Sequence, residues 1–422
     1  MRVLVLFRRL LLVVTVALCS SFIKSLPFVV QLCVDKISHS LAIRSLTQTG
    51  SEPKSHSDND EAWSILDSIL SDGKQPLTSI DYVLTSLRVD LPKPQGDIQG
   101  LGRKTYYLIE PKLNPLEFDH NTLLVFVQSG PERFAERERI RETWGSLRNY
   151  RKSRHIVPIQ VIFVLGLPPD IYSPGYSSSM DGVLLENSLA HDILLLNMLD
   201  TYNSLAYKGL LAMLWAVNRS PRINYIFKTD DDVLINTFAW INLINVMERY
   251  SIACTVVGNV WTKPEVLRRG KYKEMLTEYE YDLYPSFCSG AGYLMSRATM
   301  TTVLEASFHL PIMKRDDPFY TGIIPRQTNI RLLSIPLSSY GISVGTNRNL
   351  TFFAHSPSSE DWHTSWRDFQ RHHNRGIRLP VTISDETDRA TSLPKAWSLS
   401  KDVTLRRQCT PRRSFKAFIV RL

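Results

Sequence analysis

Apolar positions along the chain fall into three regimes. Leu10 to Ile23 carries no charge, Lys24 interrupts, and mostly apolar residues resume from Leu26 to Val34. From about residue 38 to 115 periodicity is poor and Ser, Asp, Lys and Pro dominate, broken only by the short amphipathic stretch Trp63–Leu70. After Asp119 short apolar runs begin to alternate with helical patterns. Leu123–Val127 reads as a buried strand, and Ile140, Trp144 and Leu147 follow at i, i+4, i+7 with Arg133, Arg137 and Arg141 stacked on another face. Ile159–Leu165, closed by Gly166 and Pro168-Pro169, is a second strand. A helix is predicted over roughly Tyr202–Val217, with Leu210, Leu214 and Val217 on one stripe. Tyr225–Phe227, Thr255–Val257, Gly292–Met295 and Leu350–Phe353 are further short strands. Strands alternating with helices predict an α/β domain with a mostly parallel central sheet. No internal repeat is visible, and beyond residue 380 the pattern fades into a basic, Ser/Thr-rich tail.

The uncharged run is shorter than the roughly 20 residues of a spanning helix, but extended to Val34 it can span if Lys24 reaches toward an interface. Arg2, Arg8 and Arg9 precede it, which keeps the N-terminus cytosolic and sends the remainder across the membrane. The alternative is a cleaved signal peptide ending near Ala17-Leu18-Cys19. Either reading delivers the bulk of the chain to a secretory lumen, and the sequons at Asn218 and Asn349 are compatible with that compartment. The predicted organisation is a cytosolic tail (1–9), a signal-anchor segment (10–34), a stem (35–117), a catalytic domain (118–380) and a basic tail (381–422).

The 422 residues are 43% hydrophobic and 22% charged, with five cysteines. That composition excludes collagen, coiled coil, wholesale disorder and a disulfide-stapled scaffold. Cys254, Cys288 and Cys409 lie outside the apolar N-terminal region and allow one disulfide at most, its pairing open. The net charge of +9 sits largely near the two ends. No basic helix with interleaved aromatics occupies the middle, so nucleic acid is not an expected partner.

The sharpest feature is Lys228-Thr229-Asp230-Asp231-Asp232, wedged between the apolar segments Tyr225–Phe227 and Val233–Ile235. Three adjacent carboxylates at the C-terminal end of a buried strand repel one another unless a cation compensates. Asp-x-Asp suits Mg²⁺ or Mn²⁺, which takes one or two protein carboxylates and fills its other positions with phosphate oxygens and water. The plain alternative is a solvated acidic turn. Asp316-Asp317, ahead of Pro318, is a second acidic site that a helix N-cap would also explain. His355, ending a strand, is either a hydrogen-bonded surface residue or a neutral imidazole completing a metal shell.

Taken in order, the blocks Arg137-x-x-Ile140-Arg141-Glu142-Thr143-Trp144-Gly145, Phe163–Gly166, Asp200–Leu205 with Lys208, Phe227–Val233, Tyr284–Tyr293 and Asp316–Gly322 resemble the β-1,3-galactosyltransferase family, glycosyltransferase family 31, over roughly residues 120 to 360. The Asp192-Ile193 pair falls in the same order. The resemblance implies a GT-A-type nucleotide-sugar transferase domain behind an N-terminal anchor and stem. It implies a type II Golgi membrane protein that moves a hexose from a UDP-sugar to a hydroxyl of a glycan, on glycoprotein or glycolipid, with inversion. Carried over, Asp230 and Asp232 form the Asp-x-Asp motif, with Asp232 the direct Mn²⁺ ligand and His355 a helper. Asp230 and Asp231 would lie near ribose and phosphates, and Asp317 would be the catalytic base. Arg137 and Arg141, one helical turn apart, either touch the nucleotide or brace the first strand. Gly290 and Gly292 are expected to permit close backbone approach to the sugar or a tight turn.

Three features depart from the family pattern. Asp316 and Pro318 stand in the block where relatives carry Glu-Asp-Val, and Pro318 could shift the base's backbone. Asn218-Arg219-Ser220 stands where many relatives have a cysteine, so one family disulfide is expected to be missing. The tail with Arg406-Arg407 and Arg412-Arg413 has no counterpart. A competing expectation is an inactive relative acting as a chaperone or glycan-binding subunit, which predicts erosion of acids that in this chain are intact.

Overall fold

The computed structural model describes residues 106–112, 123–146, 159–168, 178–219, 223–335, 338–340, 352–355, 357–376, 380–389, 391–393, 398–399 and 417–421. All belong to one compact unit spanning 62–422. The predicted anchor at 10–34 lies outside the described residues, as do most of the predicted stem and basic tail. Among the described residues no helix is long and apolar enough to cross a membrane.

The first half of the domain runs β1 (Tyr107–Ile109), β2 (Leu123–Gln128), α1 (Phe134–Glu142), β3 (Ile159–Leu167), α2 (Ser178–Ala190) and β4 (Ile193–Leu199). A 3-10 turn (Tyr202–Ser204) leads into α3 (Leu205–Arg219), then β5 (Tyr225–Asp230), β6 (Val233–Ile235) and α4 (Thr237–Arg249). The second half runs β7 (Thr255–Trp261), β8 (Phe287–Ser296), α5 (Arg297–Ser307) and α6, a helical segment over 316–327 with a π-helical turn at Phe319–Ile323. β9 (Arg331–Ser334), β10 (Ser338–Tyr340), β11 (Phe353–His355), α7 (Ser359–Asn374), β12 (Pro380–Asp385) and β13 (Ala417–Arg421) complete it.

Ten strands form one sheet in the order β1-β4-β3-β2-β5-β8-β7-β9-β12-β13. The block β4-β3-β2-β5 is parallel throughout, and β7 pairs β9 in parallel. Following the pairings, β2, β3, β4, β5, β7, β9 and β13 point one way, and β1, β8 and β12 the other. The expected mostly parallel direction therefore holds, with a reversed strand, β8, inserted next to β5. A second sheet, β10-β11-β6, sets β11 antiparallel to β6 so that His355 faces Val233.

Strand alternation explains why the sheet is covered on both faces. Leu123, Val125 and Val127 of β2 enter one core, together with side chains of α1, α2, α4 and α7. Leu124 and Phe126 enter the other, with α3, α5 and α6. The result is a three-layer α/β/α domain. Each fully buried aliphatic or aromatic side chain contributes roughly 1.5–3 kcal/mol, which is why near-continuous apolar runs mark these strands.

Every short strand predicted from the pattern is present, most of them longer at one end, because chain polarity alone does not mark where pairing stops. β11 starts three residues later than expected, and residues 350–351 lie outside the described set. β1, β4, β6, β9, β10, β12 and β13 are additions to the predicted set. So is α2, which carries Gly182 and several polar residues and lacks a clear apolar stripe. Cys254 is disulfide-bonded, while Cys288 is a free, buried thiol.

At Gly292 the close approach is that of a neighbouring side chain. A Cβ there would lie 2.6 Å from Cζ of Phe227 on the neighbouring strand. Gly292→Ala is expected to destabilise the fold by about 1–3 kcal/mol through overpacking, lowering the midpoint of thermal unfolding; an unchanged midpoint would show that β5 and β8 can part freely.

Candidate active site

Open α/β sheets bind ligands beyond the strand C-termini where the strand order reverses. Here the chain moves from β2 to β3 and β4 on one side and returns to β5 on the other, so the crevice lies beyond Gln128 and Asp230, which are register partners. The Asp triplet sits at that point.

The three carboxylates are separated by being sent to different partners. Lys228 and Asp230, two apart on β5, share the face covered by α6. Lys228 Nζ lies 3.0 Å from Asp230 Oδ1, 3.2 Å from Asp316 Oδ2 and 3.4 Å from Asp317 Oδ1, and donates to the carbonyl of Gly290 at 3.1 Å. Asp231 points the opposite way, toward α1. It accepts from Ser129 Oγ at 2.7 Å and from Arg133 Nε at 2.8 and 2.9 Å. Asp232 begins the turn into β6, and the β6–β11 register brings His355 Nε2 to 3.6 Å from its Oδ2.

Burial sorts these groups. Asp231 and Asp316 are buried, whereas Asp230, Asp232 and His355 expose about a third of their side chains. Asp317 is intermediate, with 23% of its side chain accessible. Burial and the adjacent Asp316 push Asp317 up to about 8, against the opposing pull of Lys228. Burial also raises Asp230 and Asp231, although Lys228 and Arg133 respectively oppose it. Desolvation alone would lower Lys228, but Asp230, Asp316 and Asp317 hold it well above the ordinary lysine range.

The placement of Asp317 depends on β8. A Cβ on Gly290 would fall 2.2 Å from Asp317 Oδ2, so only glycine lets this carboxylate lie against the strand. Thr321 Oγ1 donates to the Asp317 carbonyl at 2.7 Å and accepts from the Cys288 amide at 2.9 Å, pinning α6 to β8. Pro318 does not break the backbone that carries Asp317. It lies in the first turn of α6, where its missing N–H has no intrahelical acceptor to lose. Asp316, by contrast, is fixed by Lys228 and by Gln128 Nε2, which donates to it at 3.0 Å.

The two arginines both engage carboxylates of the same chain. Arg137 is fully buried, and its five N–H groups go to Glu186 (two), Ser129 Oγ and the carbonyls of Gly130 and Pro131. All five donors of Arg137 are thus met within its own chain. Arg141 forks onto Asp192 at 2.8 Å and reaches Glu186 at 2.7 Å, clamping α1 to α2 and β4 in the same way. Thr143 Oγ1 accepts from Trp362 Nε1, and Trp144 Nε1 donates to the carbonyl of Val233, directly behind Asp232. Lys208 does similar work, donating to Asp200 Oδ2 at 2.8 Å and to the Ser129 carbonyl at 2.7 Å. Several motif blocks thus build the frame rather than the chemistry. Conversely, sequence pattern alone assigns no role to Lys228, Ser129, Arg133 or Thr321. Their partners are 89 to 102 residues away for Lys228–Asp317, Arg133–Asp231 and Ser129–Asp231, and local spacing cannot reveal those.

Among the described residues no group of three or more His, Cys, Asp or Glu side chains forms a ready-made metal cage. Asp232 and His355 nevertheless suit a hard divalent ion. Their donor atoms are 3.6 Å apart, a separation two ligands on one cation can adopt with bonds of roughly 2.1 Å. An ion that keeps several positions for water and phosphate needs no more from the protein.

Residues 135–336 match the model of the Galactosyltransferase family. The match, together with the relatives that follow, supports membership of that family, glycosyltransferase family 31. It is 30% identical to human UDP-GalNAc:beta-1,3-N-acetylgalactosaminyltransferase 1 over 227 residues, 50% of this chain and 64% of the relative. It is 29% identical to lactosylceramide 1,3-N-acetyl-beta-D-glucosaminyltransferase A of Danio rerio over 203 residues, 48% of this chain and 53% of the relative. The chain spans about half to two thirds of the length of these relatives. The apo structure of the bifunctional glycosyltransferase WbbM aligns at a TM-score of 0.30 and 10% identity, over 61% of this chain and 50% of that one; that overlap adds nothing to the assignment.

Arg137→Ala would leave Glu186 with Arg141 alone and remove the buried donors to Ser129 and to the Gly130 and Pro131 carbonyls, and is expected to cost about 3 kcal/mol of stability. Denaturant titration of the full chain should show the loss. A variant as stable as the wild type would mean that the clamp is not structural.

Proposed function

We propose that this protein is an inverting glycosyltransferase with a GT-A-type domain, moving a hexose (galactose or an N-acetylhexosamine) from a UDP-sugar to a glycan hydroxyl in β-1,3 linkage. The carrying observation is a partly accessible carboxylate, Asp317, held by Lys228 against Gly290, across the sheet crevice from the Asp232–His355 pair. The match to the family model supports the reaction class, and the names of the relatives support an N-acetylhexosamine among the donors. The expected anchor, Golgi location and luminal catalytic domain belong to the same reading.

Asp317 and not Asp316 is the base. Asp316 is 3% exposed and already occupied by Gln128 and Lys228, so no acceptor hydroxyl can reach it. Asp317 has accessible surface and a raised affinity for a proton, which is what general-base catalysis near neutral pH requires. It takes the proton of the acceptor hydroxyl as that oxygen attacks the anomeric carbon. Lys228 orients the carboxylate and spreads its charge over a shared ammonium. Asp230 closes the Lys228 cluster on the side of the donor phosphates, while Asp231 is fixed by Ser129 and Arg133 and orders the turn. Mn²⁺ or Mg²⁺ bound by Asp232 and His355 would supply Lewis-acid neutralisation of the departing diphosphate. An inactive family member is the alternative, and the intact, converging acids weigh against it.

The test is a panel of UDP-sugars and simple acceptor glycosides with the full chain, with and without Mn²⁺, followed by linkage analysis of the product. Asp232→Ala should abolish both transfer and Mn²⁺-dependent UDP binding. Asp317→Asn should retain UDP binding and lose about 10²–10⁴-fold in kcat. Full turnover by either variant would refute the corresponding role. Because only the ionised carboxylate accepts a proton and its pKa lies at about 8, kcat/KM should rise with pH and level off above that value. A profile flat from pH 6 to 9 in an otherwise active enzyme would exclude Asp317 as the base.

A further inference from the structure

The segment joining β7 to β8 and the turn ahead of α3 gather aromatic and basic side chains that the chemistry assigned above leaves unused. Among the described residues eleven large hydrophobic side chains are exposed, and eight of them are Tyr202 or lie between Trp261 and Leu283. Scattered single apolar side chains need no explanation, but such a concentration marks an interaction surface. Tyr202 brings this surface to the crevice. It opens the 3-10 turn before α3, and the first residues of α3 are tied to the chain around the acid pair. The Ala206 amide donates to the Lys314 carbonyl at 3.4 Å, and the Tyr320 hydroxyl of α6 donates to the Ala206 carbonyl. Burial first, then Tyr272, Asp317 and Asp316, push the Tyr202 hydroxyl above the ordinary phenol range while Arg315 opposes them, so this ring stands within electrostatic range of the acid pair.

On its other side Tyr202 meets Tyr272, with ring centroids 6.0 Å apart and planes inclined at 56°. Both rings stay accessible, at 38% and 44%. Lys271 Nζ lies 5.3 Å from each ring centroid. The pair is preformed. Arg268 donates to the carbonyls of Glu274, Tyr279 and Tyr281, and the Glu274 amide donates back to the Leu267 carbonyl at 2.8 Å. Arg315 reaches Glu274 at 3.3 Å and stacks 5.1 Å from the Tyr284 ring, which fixes the same turn to the residue before Asp316. From Leu267 to Lys273 the turn contains Arg268, Arg269, Lys271 and Lys273 and no acid, and Arg269, Lys271 and Lys273 are exposed. The acids of the segment fall elsewhere. Glu274 is paired with Arg315, Glu278 with Lys314 and Asp282 with Arg268, while Glu265 and Glu280 are exposed on the flanks.

We propose that Tyr202, Tyr272 and Lys271 bind the acceptor, and that this acceptor is an oligosaccharide carrying an anionic group, a sulfate or a carboxylate. Their position gives them this part because of the reading of Asp317 as the base, on which the proposal rests: the sugar whose hydroxyl loses a proton to Asp317 must lie against it, and the exposed rings stand there. An aromatic face covers the apolar C–H face of a pyranose, and the phenol edge stays polar toward its hydroxyls. The Lys271 ammonium, equally close to both rings, meets a charged substituent of a sugar laid on either. The acids of the crevice would repel an anionic acceptor. The cationic turn offsets that repulsion at the rim, so its charge selects for such an acceptor rather than merely tolerating it.

The experiment is a glycan microarray of matched neutral, sulfated and uronate-bearing oligosaccharides, probed with the full chain with and without UDP and Mn²⁺. Retention needs no turnover, and Mn²⁺-dependent UDP binding measured on the same preparation reports on the transferase reading separately. The acidic members are expected to be held about tenfold more tightly than their neutral counterparts, a difference that high salt removes. The sulfated and uronate arms tell which anion supplies it. Lys271→Gln should abolish the preference. Tyr202→Ala and Tyr272→Ala should each weaken retention of the acidic members by up to about tenfold, and Tyr202→Phe, which keeps the ring, should restore it. The three side chains are exposed, so the thermal midpoints of these variants should match the wild type. Equal retention of neutral and acidic glycans would overturn the proposal. So would an acidic preference that survives Tyr202→Ala, Tyr272→Ala and Lys271→Gln, which would assign it to basic residues elsewhere in the chain.

Discussion

Five carboxylates, those of Asp230, Asp231, Asp232, Asp316 and Asp317, converge on one corner of the sheet, and the surrounding structure is arranged to tolerate them. Two unit charges about 4 Å apart repel by roughly 4 kcal/mol at an effective dielectric of 20, so an uncompensated cluster of this size would open the domain. Lys228 answers three of the five through a single ammonium. Arg133 and Ser129 answer Asp231, and His355 stands beside Asp232. Lys228 can serve α6 because β-strand alternation gives it the same side of β5 as Asp230. The same alternation turns Phe227 into the other core, where Gly292 makes room for it.

This compensation explains why so much of the recognisable sequence is scaffold. Arg137, Arg141, Thr143 and Trp144 are spread over α1 and the turn after it, yet between them they reach five elements: Arg137 meets α2 and the end of β2, Arg141 α2 and the start of β4, Thr143 α7 and Trp144 β6. Together they hold the ends of β2 and β6 at fixed distance, which sets the spread between Ser129, Asp231 and Asp232. Lys208 and Asp200 do the same between β2, β3 and α3, with the Gly166 amide donating to Asp200 at 2.8 Å. A phosphate-binding reading of paired arginines is reasonable from spacing, since a guanidinium fork suits phosphate and carboxylate alike. The carboxylate that the Arg137 fork meets in this fold is that of Glu186, 49 residues away.

The alternating architecture, the buried parallel strands and the acidic corner were legible in the sequence because each rests on local information: apolar runs, their length, and charged residues where burial would otherwise be expected. What escaped was non-local. β4 is as apolar as β2, but its run directly follows α2, whose helical pattern is weak, so no boundary stood out. The role of Gly290 could be sensed as close approach, but the approaching group, Asp317, is contributed by another element. His355 as a neighbour of Asp232 follows from one antiparallel register that no spacing rule contains.

The two tiers of acids follow from the same geometry. Asp231 and Asp316 point inward and are saturated by side chains of their own chain, so they act as fixed anchors that hold the turn and the start of α6. Asp230, Asp232 and Asp317 share the crevice edge, keep accessible surface, and are balanced by fewer cations than they carry charges. A site of this kind favours a ligand that brings positive charge with it, such as a metal-bound nucleotide diphosphate, over a bare anion, which the carboxylates would repel. The arrangement also keeps the proposed proton acceptor apart from the proposed cation-binding pair. Asp317 is held on the β8 side by Lys228, and Asp232 on the β6 side by its neighbour His355. An acceptor hydroxyl and a leaving diphosphate can thus be served by different acids of one cluster, because β5 ends between them.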